Sequence, residues 1–376
     1  MKKKYILSSI LILILISIIL SNISNNKIFI DDTLIAINVN GVLVNSFPAK
    51  GNYSAKVDCN NALGRWDYDT WEAVIKNIGQ KSRCNFTFTS VTPVSYVNFI
   101  KTKETASGVW NEPSTDWRYQ GKNPDNYLYF NGELWRAIGV FQDNTHDVAG
   151  QELVKIIRVN PLGPFSWQAN NRNDWNDSAG SLRTLLNDFY LYGLDGTANA
   201  ACRTGSSGST VVSHCDFRAT GITDVTYRNM IQSVTWRLGG HNANAPADTF
   251  YTSERGTAVS SAGRPTTWNG NIGLMYPSDY GYSVLASSCT RLTNLSAYNT
   301  ATCAGQSWLF SGAEWSLTPN SSVANYVYCM SNQGSGSLEV YAVGSGLAAR
   351  PTLYLKSDVM YLAGNGSIDN PHIIIQ

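Results

Sequence analysis

The sequence predicts an α+β protein, with a small β-rich N-terminal domain followed by a larger mixed domain. The chain of 376 residues contains 31 Gly and 20 Tyr, a composition that favours short strands joined by turns over long helices. Two apolar hairpin patterns turn at Asn40-Gly41 and at Asn131-Gly132, a dipeptide typical of tight hairpin turns. Two amphipathic helical patterns follow the second hairpin, and only short strands follow them, which is the order of an α+β arrangement.

The N-terminus carries an export signal. Three lysines, Lys2 to Lys4, precede an apolar run from Tyr5 to Leu20, and a basic start before an apolar run is typical of exported proteins. The run is slightly long for the core of a signal peptide and slightly short for a membrane span. The sequence "SNISNN" after it lacks a small-x-small cleavage site. Residues 1–27 are therefore predicted to be a signal peptide or an N-terminal membrane anchor. Either way the lysines stay cytoplasmic and the rest lies outside the cell, secreted or at the cell surface.

The cysteines of an extracellular chain are expected to form disulfides. Proximity pairs six of them: Cys59 with Cys84, Cys202 with Cys215, and Cys289 with Cys303. Spacing alone does not fix this connectivity. Cys329 is left over, and no histidine or helix start in "NYVYCMSN" lowers its pKa. We interpret Cys329 as a small buried apolar residue that shares a strand face with Val327.

Residues 28–90 form the predicted small domain. A hairpin spans "LIAINVNGVLVNSF", and "CNFTFTSV" is a strand. Between them "DYDTWEAVIKNIG" predicts a short helix with Asp69 as cap and Gly79 as stop. Its apolar face would hold Trp71, Val74, Ile75 and Ile78. Residues 91–124 show no sustained period and are predicted to be a connector.

Residues 125–376 form the predicted second domain. A hairpin in "YLYFNGELWRAIGVF" and a strand in "ELVKIIRVN" precede two helices, "SLRTLLNDFY", capped by Asp177 or Ser178, and "YRNMIQSVTWRL". The remainder is predicted to hold short strands and polar loops: "DTFYTSERG", "NIGLMYPSDYGYSVL", "SWLF", "EWSLTP" and the closing stretch 325–355.

Composition and spacing argue against several functions. The formal net charge is +1 and 15% of residues are charged, without the basic patch of a nucleic-acid-binding protein. The four histidines lack the spacing of a zinc site and are interpreted as exposed loop residues: His146, His214, His241 and His372. No nucleophile elbow occurs, so no catalytic residue is predicted. Carboxylates that a hydrolase would need are scattered singly, at Glu254, Asp279, Glu314 and Glu339, and spacing does not exclude a pair.

No cofactor and no metal site is predicted, although structural calcium stays an alternative. Oxygen-bearing side chains lie at Asp143, Asn144 and Asp147 and again at Asn365 and Asp369. Neither group has the spacing of an EF-hand loop, and Asp and Asn are ordinary turn formers.

Aromatic residues crowd the last third of the chain among Ser, Asn and Gly, a mixture that binding surfaces favour. The predicted ligand-binding residues are Trp268, Tyr276, Asp279, Tyr280, Tyr282, Trp315, Tyr326, Tyr328, Glu339 and Tyr341.

The order "YLYFNGELWRAIGVF … VKIIR … SLRTLLNDFY … GLMYPSDYGYS … SWLF … EWSLTP … ARPTLYLK" resembles a group of exported proteins from low-GC Gram-positive bacteria, over most of residues 28–376. More remotely, about 125–358 resembles the C-type-lectin-like fold in its formylglycine-generating-enzyme form, including the terminal Arg350-Pro351 strand. The resemblance implies a scaffold that displays ligand loops. That enzyme form needs a pair of active-site cysteines, and only Cys329 is unpaired here, so its activity is expected to be absent. The sugar-binding motifs of lectins are not matched, because "NEPS" stands alone and "WND" at Trp175 to Asp177 is interpreted as a helix cap.

The resulting prediction is a secreted or surface-displayed, non-enzymatic binding or adhesion protein. Its partner would be an extracellular protein or glycan, with the membrane as a further partner if the N-terminal segment is uncleaved. Two alternatives stay open, namely a secreted hydrolase acting on glycans or peptidoglycan and a structural component of the cell envelope.

Overall fold

The computed structural model describes residues 34–103, 108–111, 116–178, 180–205, 208–285, 289–330 and 336–376. The predicted export segment, "NEPS" beyond Asn111, and most of the Gly-Ser loop after Met330 lie outside these residues. The chain divides into two compact units. The described part of the first comprises 34–51 and Ala55–Thr89, and the second comprises Asn52–Ser54 with Ser90–Gln376.

The first unit is built on strands: β1 Leu34–Val39, β2 Val42–Val44, β3 Tyr53–Asn60, β4 Leu63–Asp67, β5 Glu72–Lys76 and β6 Arg83–Ser90. Four of them form a sheet in the order β2-β1-β6-β3, and β4 pairs with β5. The predicted β1–β2 hairpin is confirmed. Asn40 and Gly41 have φ of 51° and 86°, the left-handed region that a two-residue turn needs. Phe86 and Phe88 are fully buried, and the Cys59–Cys84 disulfide joins β3 to β6.

The predicted helix over "DYDTWEAVIKNIG" is wrong. The segment forms the turn and second strand of the β4–β5 hairpin, with Trp66 opposite Ala73. Asp69, the expected cap, instead donates its N–H to Asp67 Oδ1 at 3.1 Å. Trp71 adopts a φ of 60° and donates its indole N–H to the Pro48 carbonyl at 2.8 Å. Cross-strand pairing of β-branched Val74 and Ile75 outweighs the helical period.

The second unit holds the other strands: β7 Val94–Ser95, β8 Val109–Asn111, β9 Trp117–Tyr119, β10 Tyr127–Phe130, β11 Glu133–Phe141, β12 Leu153–Arg158, β13 Pro164–Phe165, β14 Arg203–Thr204, β15 Thr210–Val211, β16 Ile231–Gln232, β17 Val234–Arg237, β18 Thr267–Gly270, β19 Ile272–Gly273, β20 Glu314–Pro319, β21 Tyr326–Met330, β22 Leu338–Ala342, β23 Leu347–Ala348, β24 Thr352–Leu355, β25 Met360–Ala363 and β26 His372–Ile375. The main sheet runs β16-β24-β12-β11-β10-β26-β25-β7, and a second runs β13-β23-β20-β21-β22. The predicted hairpin at Asn131-Gly132 and the strands β12 and β20 are confirmed.

The described helices are short: α1 Tyr96–Lys101, α2 Asp143–His146, α3 Leu182–Thr184, α4 Val225–Asn229, α5 Ala247–Glu254 and α6 Pro277–Tyr282. The first predicted helix is confirmed, since α3 continues as a π-helical turn, Leu185–Phe189, and a 3₁₀ turn, Tyr190–Tyr192. Its cap is Ser181, which accepts from Arg183 N–H at 3.2 Å, so the predicted caps and the cap interpretation of "WND" are wrong. Single 3₁₀ turns lie at Leu295–Ala297 and Ala304–Gln306.

Five predicted segments differ in the structure. The second helix ends at Asn229, and "IQSVTWR" beyond it forms β16 and β17, which pair with β24 and β18. Conversely "DTFYTSE" is helix α5 and "PSDYGY" is helix α6, where short strands and polar loops were expected. "SWLF" forms no strand and has one isolated bridge, from Ser307 to Val284. The predicted connector contains β7, α1, β8 and β9, because the main sheet supplies partners for its short strands.

The α+β class is confirmed by this mixture of short helices and mostly antiparallel sheets, in which β1–β6, β10–β26 and β20–β23 are parallel pairs. The three predicted cysteine pairs are those joined in the structure, and three disulfides suggest an oxidising, extracellular environment. No helix in the described part of the chain is long and apolar enough to cross a membrane.

Candidate functional site

Most of the predicted ligand-binding residues lie in the core instead of on a surface. Six of the ten are buried: Tyr276, Asp279, Tyr280, Tyr282, Trp315 and Tyr328. The other four are half-buried: Trp268, Tyr326, Glu339 and Tyr341. The closing strand β21 is covered on both faces, since Val327 through Met330 are all buried. The aromatic mixture there packs between β20 and β22 and does not form an exposed patch.

Asp279 is the centre of a buried ionic network. Its two oxygens accept from Arg118 Nη1 at 3.0 Å and from Lys155 Nζ at 2.5 Å. Arg118 also pairs with Asp116 at 3.2 Å. All four side chains are at most 1% exposed. Two cations therefore balance two carboxylates away from water, an arrangement that is stable only when every charge is paired.

The network fixes the start of helix α6. Pro277 stands at the first helical position, which suits its fixed φ. Asp279 Oδ2 accepts from Tyr276 N–H at 2.9 Å, so the carboxylate satisfies a backbone donor that a helix start leaves open. Burial alone would raise the pKa of Asp279, but Lys155 and Arg118 outweigh burial and hold it below its usual value. Asp279 is a structural anion and does not face solvent.

Glu254, at the end of α5, is the second buried carboxylate beside α6. It accepts from Ser278 N–H at 3.1 Å and from Ser278 Oγ at 2.5 Å, and Arg255 Nη1 lies 3.6 Å away. Burial raises the pKa of Glu254 to about 7, against the opposing effects of Arg255 and of the Ser278 hydrogen bonds. Glu254 therefore changes charge near neutral pH without contact with solvent.

A cavity of about 380 Å³ opens at the other end of α6. Its lining residues are Gln120, Gly281, Tyr282, Val284, Leu285, Cys289, Thr290, Arg291 and Leu292. Leu285 and Leu292 are 43% and 75% exposed, so apolar surface faces water there. The volume is within the range of small-ligand sites, which combine apolar walls with a few polar groups.

Hydrogen bonds and a disulfide hold the cavity walls. Gly121 N–H donates to the Ser283 carbonyl at 2.9 Å, which ties the residues just after β9 to the segment after α6. Thr290 Oγ1 accepts from Leu292 N–H at 3.2 Å, and the Cys289–Cys303 disulfide closes the loop that carries Arg291. These contacts restrict the lining residues that they join, and such restriction lowers the entropic cost of binding.

Tyr282 belongs to both the cavity and the network. The Arg118 guanidinium carbon lies 4.8 Å from the centroid of its ring, and that of Arg291 lies 5.5 Å away. Tyr251 meets the ring edge-on with centroids 6.1 Å apart. Of the ten predicted binding residues, Tyr282 is the one that lines the cavity.

The residues considered for catalysis and metal binding have structural partners. His146 and His372 are fully buried, so their interpretation as exposed loop residues is wrong. His372 Nδ1 lies 3.0 Å from the Tyr96 hydroxyl. Burial, with a smaller contribution from the charge of Lys103, lowers the pKa of His372 to about 3. Glu314 pairs with Arg350, and Glu339 accepts from Ser337 Oγ at 3.2 Å.

Three of the residues considered for calcium make turn and ion-pair contacts. Asp147 pairs with Arg237, Asp143 Oδ2 accepts from Gly150 N–H at 3.0 Å, and Asn365 Oδ1 accepts from Ser367 N–H at 3.0 Å. Within the described ranges, no group of three or more His, Cys, Asp or Glu side chains is placed to hold a metal ion.

Cys329 is buried and unpaired, as predicted. Burial raises the pKa of its thiol, and Glu339 adds to the shift. A thiol with a raised pKa is a poor nucleophile at neutral pH.

Sequence reasoning missed several residues of the network and the cavity, although some of them carried a recognisable signal. Lys155 stands inside the apolar strand "LVKIIR", and a charge within a buried strand signals a buried partner. Pro277 followed by Asp279 is a helix-start signal. Arg118, Gln120 and Arg291 lie in polar segments with no distinguishing pattern, and tertiary contacts alone bring them to Tyr282.

No protein-family model, curated protein or solved structure matches this chain. The resemblance to a C-type-lectin-like domain stays a prediction that depends on the order of its motifs.

Proposed function

We propose that this chain is an exported, non-enzymatic binding protein that takes its ligand at the Tyr282 cavity. The observation that carries the proposal is the cavity itself, with an aromatic ring, a guanidinium, an amide and a hydroxyl set among exposed leucines. Such mixtures give contact area and directed hydrogen bonds without an acid–base pair. The expected ligand is part of an extracellular glycan or protein.

The placement of the titratable groups supports binding over hydrolysis. A glycosidase needs two carboxylates that face the scissile bond. Asp279, Glu254 and Glu314 are at most 2% exposed, and none of them lines the cavity. Within the lining, the ionisable side chains are Tyr282 and Arg291, since Cys289 is in a disulfide.

The proposed scaffold of the second unit is C-type-lectin-like. Its support is the chain order, in which the β10–β11 hairpin, the helical segment at 182–192 and the late strand β20 precede the Arg350-Pro351 segment before β24. The three disulfides support an extracellular location. Display at the cell surface through residues 1–27, or secretion after their removal, completes the proposal.

The test is a binding screen of the purified exported chain on glycan and protein arrays, run beside a panel of hydrolase substrates. The affinity of a ligand found there is then measured for the unmodified chain and for the variant Leu292→Ser. Leu292 lines the cavity and is 75% exposed, so the fold is expected to tolerate the change. The matched control is Leu194→Ser, which is 48% exposed and outside the cavity lining.

We expect Leu292→Ser to weaken binding about tenfold, because it removes apolar contact area, and Leu194→Ser to leave it unchanged. Turnover of a substrate at ordinary enzyme rates, abolished by changing one carboxylate, would overturn the binding proposal in favour of the hydrolase. If the affinity of every ligand found is the same for the unmodified chain and for Leu292→Ser, the binding site lies elsewhere.

A further inference from the structure

The Lys155–Asp279 pair brings an amine and a carboxyl group into contact inside the core. Lys155 Nζ lies 2.5 Å from Asp279 Oδ2, and both side chains are buried. The two residues are 124 positions apart in the chain. Transfer of one proton along this contact turns the ammonium and the carboxylate into a neutral amine beside a carboxylic acid. These are the two forms from which an amide is made.

Aromatic rings enclose the amine. Four ring centroids lie within 5.5 Å of Lys155 Nζ, those of Phe141, Trp236, Tyr276 and Tyr354. Burial lowers the pKa of Lys155, against the opposing effect of Asp279. A lysine that apolar neighbours desolvate is a better nucleophile, because the uncharged amine is the form that attacks a carbonyl carbon.

Fixed donors hold both oxygens of the Asp279 carboxyl group. Arg118 Nη1 donates to Oδ1 at 3.0 Å, and Tyr276 N–H donates to Oδ2 at 2.9 Å. Although burial raises the pKa of Asp279, Lys155 and Arg118 hold it below its usual value, so the ionised pair is the resting form and the neutral pair is the minor form that reacts. Attack on Cγ places negative charge on a carboxyl oxygen, and donors already in position stabilise such charge.

Condensation of this pair leaves the remaining buried charges balanced. The two cations and two carboxylates of the network sum to zero. Once an amide has formed, Arg118 still pairs with Asp116 at 3.2 Å, and these two again sum to zero. Charges that lose their water are costly to bury, and the amide replaces one buried ion pair by a neutral group.

Contact and burial also favour the amide over its hydrolysis. Two reacting groups held together in one molecule have an effective concentration that reaches about 10⁵–10⁸ M in well-oriented cases. The core excludes water, which is the reagent of the reverse reaction. An amine and an acid that do not condense in dilute solution are therefore placed to do so here.

We infer that Lys155 and Asp279 condense in the folded protein to form an intramolecular amide cross-link. The amine nitrogen bonds to Asp279 Cγ and one Cγ–O bond breaks. The leaving oxygen departs as water with two protons, one from the carboxylic acid and one from the amine, so no co-reactant is needed. The reaction occurs once in each chain and does not depend on ligand binding at the Tyr282 cavity.

The cross-link would join β12 to the first turn of α6. Like a disulfide, it would restrict the unfolded chain, but a reducing agent would not break it. An exported chain would thus carry a fourth covalent constraint beside its three disulfides.

Lys101 and Glu152 form a matched pair at the surface. Lys101 Nζ lies 2.8 Å from Glu152 Oε2, but the two side chains are 31% and 29% exposed. Water solvates both charges there, so this pair is expected to stay ionic. The two pairs differ in burial and not in contact.

The test is the mass of the purified exported chain after reduction and denaturation, so that the disulfides do not contribute. We expect this mass to be lower by one water molecule than the mass calculated for its residues. Lys155→Arg keeps the positive charge but carries a guanidinium that stays protonated, so it should have its full calculated mass. Lys101→Arg is the matched control and should lose one water, as the unmodified chain does.

Peptide mapping of the unmodified chain locates the link even if Lys155→Arg fails to fold. A protease digest should contain one branched peptide in which the Lys155 segment is joined to the Asp279 segment, and trypsin should not cleave after Lys155 in it. Full calculated mass after prolonged incubation of the folded chain at neutral pH would overturn the inference. Loss of water that persists in Lys155→Arg, or that maps to other residues, would also overturn it.

Discussion

Arg350 and Glu314 form a buried ion pair that anchors the Arg350-Pro351 segment. Arg350 Nε donates to Glu314 Oε2 at 2.5 Å, Nη2 donates to Oε1 at 2.6 Å, and Nη2 also donates to the Leu309 carbonyl at 2.5 Å. Burial raises the pKa of Glu314 although Arg350 opposes it. A bidentate pair of this kind gives geometric specificity as well as energy. Arg350 therefore joins the start of β20 to the segment before β24.

Arg350→Gln is expected to destabilise the fold strongly, because it leaves the Glu314 carboxylate buried without its cation. Breaking a buried pair from one side typically costs about 3–5 kcal/mol, measured as a change in the free energy of unfolding in urea. The double variant Arg350→Met with Glu314→Leu should lose less than the single variant, since no buried charge is left over. A loss in Arg350→Gln no larger than in the exposed control Arg218→Gln would contradict a structural role for the pair.

Helix α6 joins the buried charges to the cavity within six residues. Ser278 and Asp279 in its first turn hold Glu254, Arg118 and Lys155, whereas Gly281 and Tyr282 in its last turn line the cavity. A Cβ at Gly281 would lie 2.5 Å from Ala247 Cβ, so α6 packs closely on α5 at this point. Different contacts therefore hold the two ends of this short helix.

The pKa of Glu254 predicts how this helix pair responds to pH. The folded protein holds a proton on Glu254 up to about pH 7, whereas an unfolded glutamate releases it near its ordinary value of 4.5. The folded state therefore binds more protons between these values, and the stability that this group contributes falls as pH rises from 4.5 to 7. The difference in pKa corresponds to about 3 kcal/mol at most.

The measurement compares the free energy of unfolding of the unmodified chain and of Glu254→Gln between pH 5 and pH 8. We expect the unmodified chain to lose stability relative to the variant as pH rises. The comparison with the variant is essential because His146 and His372 have lowered pKa values. Their contribution to the free energy of unfolding increases as pH rises to about 6.5. Asp279 titrates below its ordinary value of 3.8, outside this range. A difference that stays constant across the range would refute the assignment.

The three disulfides lie in both units of the chain. Cys59–Cys84 lies in the first unit, and the second unit carries two loops of similar size, with separations of 13 residues for Cys202–Cys215 and 14 for Cys289–Cys303. A loop of this size contributes about 3 kcal/mol in the chain-entropy model. Only the last of the three lines the cavity.

This pair of similar loops gives a matched test of the cavity. The double variants Cys202→Ser with Cys215→Ser and Cys289→Ser with Cys303→Ser should lose similar stability in thermal unfolding. Ligand affinity at the cavity should fall in the second variant alone, because its loop carries Thr290, Arg291 and Leu292. Equal affinity in both variants would show that the loop disulfide does not shape the site.

Local chemistry in the sequence determined the turns at Asn40-Gly41 and Asn131-Gly132 and the helical segment after Ser181, and proximity along the chain predicted the cysteine pairs that the structure joins. Each of these depends on neighbours in the chain, where left-handed φ values, periodicity or proximity act directly. Periodicity misassigned "EAVIK" and "IQSVTWR", which are strands because each finds a strand partner, β4 next to it for the first and β24 and β18 farther along the chain for the second. "DTFYTSE", expected among short strands and polar loops, is helix α5.

The candidate site depended on tertiary structure almost entirely. Tyr282 was predicted, but its companions Gln120 and Arg291 are 171 residues apart in the chain, and no local pattern relates them. Lys155, Arg118 and Asp279 likewise find each other only in the folded core. The sequence by itself determined composition and turn chemistry, and it predicts export. Tertiary structure decided which aromatic rings and charges are buried, because burial is a property of the packed chain and not of any short stretch of it.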